Sequence, residues 1–171
     1  MNVTSKAIIG IVIVVIVAAG IGGFLYYSNT ASDGHMAVSV ADAPVLSGVS
    51  GVYISFSAVE LHSNTSGWTN YTVPSTTINI LGLTTTNASL LTNITLHSGT
   101  YTTIRLFVSK VTVEVLGANL TFTLASKFAF INHPFTVSAH STMGIIIDFN
   151  LNQDLNLNSR IFTPNVGFVT N

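Results

Sequence analysis

The chain divides into an N-terminal segment of continuous apolar residues and a longer part in which apolar and polar residues alternate. The continuous run is Ala7–Tyr27, which contains no charged residue. At about 1.5 Å per residue, a helix of this length reaches roughly 31 Å, which is the thickness of one bilayer core. We therefore predict an N-terminal transmembrane or signal helix at residues 7–27, preceded by a cytoplasmic N-terminus at residues 1–6.

The basic residues predict how this segment is oriented in a membrane. Lys6 directly precedes the apolar run, and the next Lys or Arg is Arg105, far along the chain. Basic flanks stay on the cytoplasmic side, so the remainder of the chain is expected outside. The predicted location is the cell surface, with the chain held in the membrane through Ala7–Tyr27, or the medium if the segment is removed.

Three fates of the apolar run are open. Retention as an anchor fits its length and the aromatic pair Tyr26 and Tyr27, which suits the membrane interface. Removal by a signal peptidase fits the small residues at 18–20 and 22–23. The Lys6-Ala7 junction resembles the processing site of archaeal type IV prepilins, but the polar segment that begins at Ser28 ends the run before a long assembly helix is complete.

Beyond the apolar run, residues alternate with a period of two, which is typical of half-buried strands. Eight or nine short strands separated by turn signals predict an all-β fold, an antiparallel Ig-like β-sandwich over residues 37–171. A flexible linker is expected at residues 28–36 and one helical turn near residues 87–91. Predicted strands include residues 104–109, 111–115, 120–124, 135–139 and 161–169.

Charge is scarce, and this excludes several classes of protein. Five Lys or Arg and six Asp or Glu make up 6% of the 171 residues, against a typical quarter. A net charge of −1 cannot neutralise a run of phosphates, so nucleic acid is not an expected partner. The polar residues are instead 18 Ser, 22 Thr and 15 Asn. Because such side chains do not titrate in acid, the composition fits the surface of an acidophilic archaeon.

The residues that carry enzyme chemistry are few and badly spaced. Cysteine is absent, which removes disulfides, thiol catalysis and lipidation. The five histidines lack metalloprotease spacing, and the Gly-x-Ser-x-Gly nucleophile motif does not occur. We predict a protein that is not an enzyme and that has no catalytic residue, cofactor or metal. The one metal alternative is calcium, held by Asp42 and Asp148 with Asn150, Asn152 and Asp154, although the segment lacks the glycine and distal Glu of an EF-hand.

Two charged residues sit in apolar surroundings and need a structural explanation. Arg105 lies in the middle of a predicted strand, and Asp148 follows three isoleucines that should be buried. An isolated buried charge is very unfavourable, so each needs a partner. We predict that Arg105 and Asp148 form a structural ion pair with each other.

Asparagine sequons are the remaining chemical signal. Asn-x-Ser/Thr is the acceptor sequence for N-glycosylation, and it occurs five times in the predicted exported domain. A sixth copy at Asn2 lies on the cytoplasmic side of the apolar run. The predicted glycosylation sites are Asn64, Asn70, Asn87, Asn93 and Asn119.

Several short strings together resemble a known family, the domain of unknown function 4382. The most specific is Gly-x-Tyr-x-x-Ile-Arg-Leu at residues 99–106, and the resemblance extends over about residues 37–169. It implies an extracytoplasmic β-domain of bacteria or archaea, often tethered as a lipoprotein, with no established reaction. This chain has no cysteine to lipidate, so the apolar helix would act as the tether. The other strings are Asp42-Ala43-Pro44, Val52–Phe56, Trp68, Leu90-Leu91, Ile147–Phe149 and Phe162–Pro164.

Together these observations predict a non-enzymatic structural or adhesive β-domain at an archaeal cell surface. It would form a homo-oligomer or a surface filament by strand addition, in which a segment beginning at Phe24 completes the sheet of a neighbour. The alternative is an extracellular protein that binds a small ligand or carbohydrate. Such a protein needs a concave pocket lined by aromatic residues such as Tyr53, Trp68, Tyr71 or Tyr101.

Overall fold

The computed structural model describes residues 32–42 and 47–170, which form two β-sheets on a shared core. The described part also contains a four-residue helix, α1 (Leu151–Asp154). In chain order the strands are β1 (Asp33–Asp42), β2 (Val49–Ser63), β3 (Gly67–Asn79), β4 (Ser89–His97), β5 (Gly99–Val115), β6 (Ala118–Leu124), β7 (Phe128–Val137), β8 (Thr142–Phe149), β9 (Leu155–Asn156), β10 (Ile161–Phe162) and β11 (Val166–Thr170).

The two sheets differ in size and are built around different central strands. Sheet A has four strands in the order β11-β8-β1-β4. Sheet B has seven, with the path β3-β2-β5-β6-β10-β9 and with β7 paired to β5 beside β6. Strand β5 is 17 residues long, so its first half pairs with β7 and its second half with β6. This long strand therefore organises sheet B.

The alternation of the sequence determines which side chains enter the core. In β5, Ile104 and Leu106 are fully buried, while Arg105 between them points to the outer face of sheet B. The two inner faces meet at Phe56 of β2 and Phe149 of β8, whose ring centroids are 6.1 Å apart. Burial of this apolar surface is the main favourable contribution to folding.

The predicted all-β fold with two sheets is confirmed, but the sheets are not purely antiparallel. Strands β1 and β8 run parallel at the centre of sheet A, and β6 and β10 run parallel in sheet B. A half-buried strand shows the same alternation whichever way its neighbour runs, so the pattern did not distinguish the two arrangements.

The domain begins earlier than predicted, because β1 starts at Asp33 and occupies the second part of the predicted linker 28–36. Gly34 suggests a flexible segment in the sequence, yet in the structure it is buried, and a Cβ there would collide with the carbonyl oxygen of Ser138. Met36 is also fully buried. These residues are part of the core rather than of a linker.

The helical turn predicted near residues 87–91 is wrong, because strand β4 begins at Ser89. A bulge opposite Val38 and Ser39 breaks the alternation in β4, so its buried residues Leu91 and Ile94 are three apart. A spacing of three imitates a helix. Residues 104–115 form one strand rather than two, and the predicted strand 161–169 is divided into β10 and β11.

The predicted helix at Ala7–Tyr27 lies outside the described residues. Within the described ranges, no helix has the length and hydropathy needed to cross a membrane. The prediction of a membrane or signal segment therefore stays a prediction.

The hairpin between β5 and β6 generates a first testable prediction. Its two connecting residues, Leu116 and Gly117, have φ angles of 50° and 79°, and the Leu116 side chain is 91% exposed. Positive φ at both positions defines a type I′ turn, which favours Asn or Gly over leucine. We expect Leu116→Asn to raise the free energy of unfolding by about 1 kcal/mol in chemical denaturation, because asparagine tolerates the left-handed backbone better than leucine. Leu116→Ala keeps the unfavourable φ and should bring no gain; equal gains from both variants would contradict the argument.

Candidate functional site

The outer face of sheet B carries an ion pair between its two longest strands. Arg105 of β5 lies directly opposite Glu60 of β2, and its Nη1 is 3.3 Å from Glu60 Oε2. On the other side of β2, Asn70 of β3 lies directly opposite Glu60 and donates from Nδ2 to Glu60 Oε1 at 3.4 Å. The carboxylate of Glu60 thus has a partner on each side.

Aromatic rings surround the guanidinium of Arg105. Its central carbon lies 3.8 Å from the centroid of the Trp68 ring, 5.2 Å from that of Phe128 and 6.0 Å from that of Phe130. His62 contacts Trp68 with a centroid distance of 5.0 Å. A guanidinium within about 6 Å of a ring centroid is attracted to the ring face. We call these five residues, His62, Trp68, Arg105, Phe128 and Phe130, the arginine strip.

The arginine strip combines large apolar area with exposure. Trp68 is 42% exposed and Phe130 is 50% exposed, although both are large aromatic residues. Arginine, tryptophan and other aromatic residues are enriched at the centres of protein interfaces. Because the stacking and the ion pair already hold the side chains in place, a partner would lose little entropy in ordering them. The strip is therefore suited to contact with a macromolecule.

The predicted ion pair between Arg105 and Asp148 is not formed. Arg105 pairs with Glu60 in sheet B, whereas Asp148 lies in β8 of sheet A. Asp148 is half-buried beside Gly167 of β11, and burial raises the pKa of its carboxyl. The sequence could not identify the partner, because three bulges between β2 and β5 precede the row that joins Glu60 to Arg105.

A double-mutant cycle checks this assignment. Arg105→Met should couple to Glu60→Gln by about 1 kcal/mol, a modest value because both side chains are partly exposed. Arg105→Met and Asp148→Asn should be additive within about 0.5 kcal/mol, since they lie in different sheets. Free energies of unfolding from urea denaturation provide the measurement. Coupling to Asp148 with none to Glu60 would contradict the pairing described above.

A pocket of about 450 Å³ lies at the end of the molecule where β1 begins. Tyr71 and Tyr101 line it, as predicted for a ligand-binding protein, whereas Trp68 belongs to the arginine strip and Tyr53 lies elsewhere on sheet B. At its rim, His97 Nδ1 is 2.6 Å from Asp33 Oδ1. Hydroxyl groups supply most of the remaining lining: Ser63, Thr65, Ser66, Thr69, Thr95 and Ser98.

The opposite end of the molecule contains two buried carboxyl groups, Asp42 at the end of β1 and Asp154 at the end of α1. Asp42 is 5% exposed and Asp154 is 1% exposed. Asp154 Oδ1 accepts from the backbone N–H of Asn165 at 2.8 Å, but the Oδ2 atoms of both residues are buried without a hydrogen-bond partner. Burial raises the pKa of Asp42 to about 6 and the pKa of Asp154 to about 7; repulsion from Asp148 adds to the shift of Asp42, and repulsion from Asp42 adds to that of Asp154.

The structure brings together only part of the calcium set that the sequence suggested. Asp42 and Asp154 lie at the same end of the fold, and the side chain of Asp148 has only a minor influence on the pKa of Asp42. Over residues 32–42 and 47–170, no group of three or more His, Cys, Asp or Glu side chains could hold a metal ion. The property of the two buried carboxyl groups that has a measurable consequence is therefore their protonation, which affects the stability of the fold.

Their raised pKa values predict an unusual dependence of stability on pH. An aspartate in the unfolded chain loses its proton near pH 4, whereas folded Asp42 and Asp154 keep theirs to about pH 6 and 7. The folded state binds more protons across this window, so the free energy of unfolding falls as pH rises from about 4 to 7. Each group contributes on the order of 3 kcal/mol at the acidic end.

Urea denaturation at pH 4, 5, 6 and 7 measures this effect, because these four values cover the window in which the folded state binds more protons. Asp154→Asn keeps the shape of the side chain and cannot titrate, so it should flatten the pH dependence. Glu114→Gln, which changes a partly exposed carboxyl of β5, serves as the control. A protein that becomes more stable between pH 4 and 7 would refute the interpretation.

The five predicted glycosylation sites share one property, which is that all their asparagine side chains are exposed. Asn64 lies in the turn between β2 and β3, Asn87 in the connection from β3 to β4, and Asn119 at the start of β6. Asn70 and Asn93 lie within β3 and β4. Their use for glycosylation stays a prediction.

Sequence reasoning missed two features of these sites. The pairing of Glu60 with Arg105 depends on strand register, which bulges alter. The burial of Asp42 and Asp154 depends on α1, whose four residues are too few to leave a periodic signal. Composition was the one signal in the sequence that could have pointed to these residues. In a chain with so few charges, each charged residue is surrounded by apolar or uncharged ones.

The fold and its surface define an all-β domain of two packed sheets whose outer face carries an exposed aromatic and arginine strip. The chain belongs to the family described as domain of unknown function (DUF4382), which matches residues 33–164. The match begins at the first residue of β1. Neither the curated proteins nor the solved structures contain a match to the chain.

Proposed function

We propose that the protein is a non-enzymatic cell-surface domain with a structural or adhesive role, and that the arginine strip is its contact surface. The observation that carries the proposal is the exposure of Trp68 and Phe130 on a sheet face, around a guanidinium already fixed by Glu60. Exposed aromatic surface in a soluble domain marks an interaction site.

The proposed setting is outside the cell. Ala7–Tyr27 would anchor an Ig-like β-domain in the membrane or act as its signal segment, with residues 1–6 in the cytoplasm. Glycans at the five exposed asparagines would then face the medium, and assembly into a homo-oligomer or filament would use strand addition. The raised pKa values of Asp42 and Asp154 support an acidic medium, because protonated carboxyl groups can be buried without an ionic partner.

A second candidate function, binding of a small ligand or carbohydrate, is favoured by the pocket beside Tyr71 and Tyr101. Its many hydroxyl groups can exchange hydrogen bonds with a neutral polyhydroxylated ligand, and the tyrosine rings offer apolar contact. The pocket adjoins the start of β1, so in an anchored protein it would lie on the side of the tether.

Adhesion of cells that display the full-length chain tests the first candidate. Phe130→Ser should weaken adhesion by about ten-fold, because truncation at the centre of an interface costs more than about 1.4 kcal/mol. Leu90→Ser is the matched control, since Leu90 is 60% exposed and lies on β4 of the other sheet. Surface display of each variant is confirmed by protease treatment of intact cells.

The same variants separate the two candidates. Adhesion that is unchanged by Phe130→Ser, with display intact, would contradict the adhesive role of the arginine strip. Thr69→Phe fills the pocket and should leave adhesion unchanged. Ligand binding would instead be indicated if a neutral oligosaccharide such as maltotriose raised the melting temperature of the unmodified chain and not that of Thr69→Phe.

A further inference from the structure

A second cleft lies on the outer face of sheet B, away from the arginine strip. Its volume is about 420 Å³, within the range of roughly 300–1,000 Å³ that is usual for sites of small ligands. At about 3.3 Å per residue, the cleft residue Tyr53 lies roughly 23 Å along β2 from Glu60, the ion-pair partner of Arg105. We call this site the tyrosine cleft, and its lining residues are Tyr53, Lys110, Thr112, Glu114, Asn119 and Thr121.

The strand register places an asparagine sequon beside a tyrosine in this cleft. Gly51 of β2 lies opposite Glu114 of β5, and Glu114 lies opposite Asn119 of β6. Tyr53 follows Gly51 by two residues and points to the same face, because side chains alternate along a strand. One row across three strands therefore leads from the position of the tyrosine to the sequon.

The absence of a side chain at Gly51 decides where the ring of Tyr53 lies. A Cβ at Gly51 would come within 2.6 Å of Tyr53 Cε2 and within 3.0 Å of its Cζ and Oη. The ring therefore lies over Gly51, at the end of the row that Glu114 and Asn119 continue. It is only half-buried, so part of its surface is open to the cleft.

The sequon side chains of β6 open into the same cleft. Asn119 and Thr121 are both exposed and both line it, whereas Leu120 between them packs against the core. In N-glycosylation, Nδ2 of the asparagine forms a bond to C1 of a saccharide carried on a polyprenyl phosphate. The bond from C1 to the phosphate oxygen breaks, and one amide proton leaves with the phosphate. A glycan on Asn119 would thus begin at the wall of the cleft.

We propose that the tyrosine cleft holds the first sugars of a glycan attached to Asn119, with one sugar ring packed against Tyr53. Two strand spacings, about 10 Å, separate Gly51 from Asn119, and the asparagine side chain with the first sugars spans this distance. The inference rests on the glycosylation included in the proposed function, and it identifies where one of those glycans lies.

The chemistry of the cleft fits a neutral sugar. The C–H face of a pyranose ring packs on an aromatic ring, and its hydroxyl groups need hydrogen-bond partners at the sides. Glu114 can accept such bonds and Lys110 can donate them, and within the described residues neither side chain forms an ion pair. Thr112 and Thr121 add hydroxyl groups that can do both.

Attachment makes a weak contact sufficient. A sugar that is covalently linked to Asn119 is present at a high effective concentration beside Tyr53, so stacking does not have to offset the loss of free translation. The seated glycan would cover the end of sheet B that carries the β5–β6 hairpin. The arginine strip, roughly 23 Å away, would remain uncovered for contact with a partner.

Nitration of tyrosine by tetranitromethane, measured by peptide mass spectrometry, tests this arrangement. The full-length protein is produced in its own host, and the glycan on Asn119 is identified in the same experiment. Nitration of Tyr53 should be about five-fold slower in the glycosylated chain than in Asn119→Gln. Asn64→Gln, which removes an exposed sequon in another part of the fold, should leave this protection unchanged, and Tyr71 serves as the internal reference.

A second variant moves the ring without changing the tyrosine or the sequon. Gly51→Ala introduces a Cβ where the end of the Tyr53 side chain now lies, so the ring must shift while the backbone can stay in place. In this background, the ratio of Tyr53 nitration between Asn119→Gln and the glycosylated chain should fall from about five to about one. An unchanged melting temperature shows that the domain remains folded.

Three results would overturn the proposal. They are an Asn119 without a glycan, nitration of Tyr53 that is equal with and without the glycan, and protection that persists in the Gly51→Ala background. Protection of Tyr53 in Asn119→Gln by added maltotriose, with none from the attached glycan, would also overturn it and assign the cleft to a free saccharide.

Failure of this inference is distinguishable from failure of the proposed function. A glycan on Asn119 that leaves Tyr53 unprotected removes the seating alone and retains a glycosylated surface domain. Protection of Tyr53 together with adhesion that is unaffected by Phe130→Ser removes the adhesive role of the arginine strip alone.

Discussion

The pairing of β2 with β5 is the interaction on which the rest of the structure depends. These strands have 15 and 17 residues, and together they span the length of sheet B. Three further strands of that sheet pair directly with one of them, β3 with β2 and both β6 and β7 with β5, while β10 and β9 follow through β6. The same pairing places Glu60 beside Arg105 and so creates the centre of the arginine strip. The fold and its candidate contact surface thus have a common origin.

Because charged residues are scarce, the few that are partly or fully buried must be accommodated without a network of ion pairs. Arg105 is held by one carboxylate and by aromatic rings, so its burial cost is offset on several sides. Asp42 and Asp154 form no ion pair within the described residues, and burial raises their pKa values, which favours the neutral form in acid. A domain organised in this way depends little on surface ion pairs and is compatible with a medium in which such pairs would be lost.

The sequence predicted correctly the features that depend on local periodicity, such as strands and their buried faces. It did not predict the features that depend on the register between strands. The alternation around Ile104 and Leu106 identified both the strand and its buried face. The bulge in β4 gave a strand the residue spacing of a helical turn, and Gly34 led to the prediction of a linker where β1 begins. The predicted partner of Arg105 was wrong for a related reason. Which residues face each other across two strands depends on every bulge in their pairing. The pocket and the buried carboxyl groups arise from segments distant in sequence, which no local pattern can connect.

The position of β1 has a mechanical consequence. This strand follows directly after the N-terminal region, and it is hydrogen-bonded to β4 on one side and to β8 on the other. A pulling force that arrives through the preceding residues acts along the strand and loads both ladders together, instead of peeling an edge strand away one bond at a time. Shearing two ladders at once requires many hydrogen bonds to break in a single event, so the fold is well placed to resist a force that enters through β1.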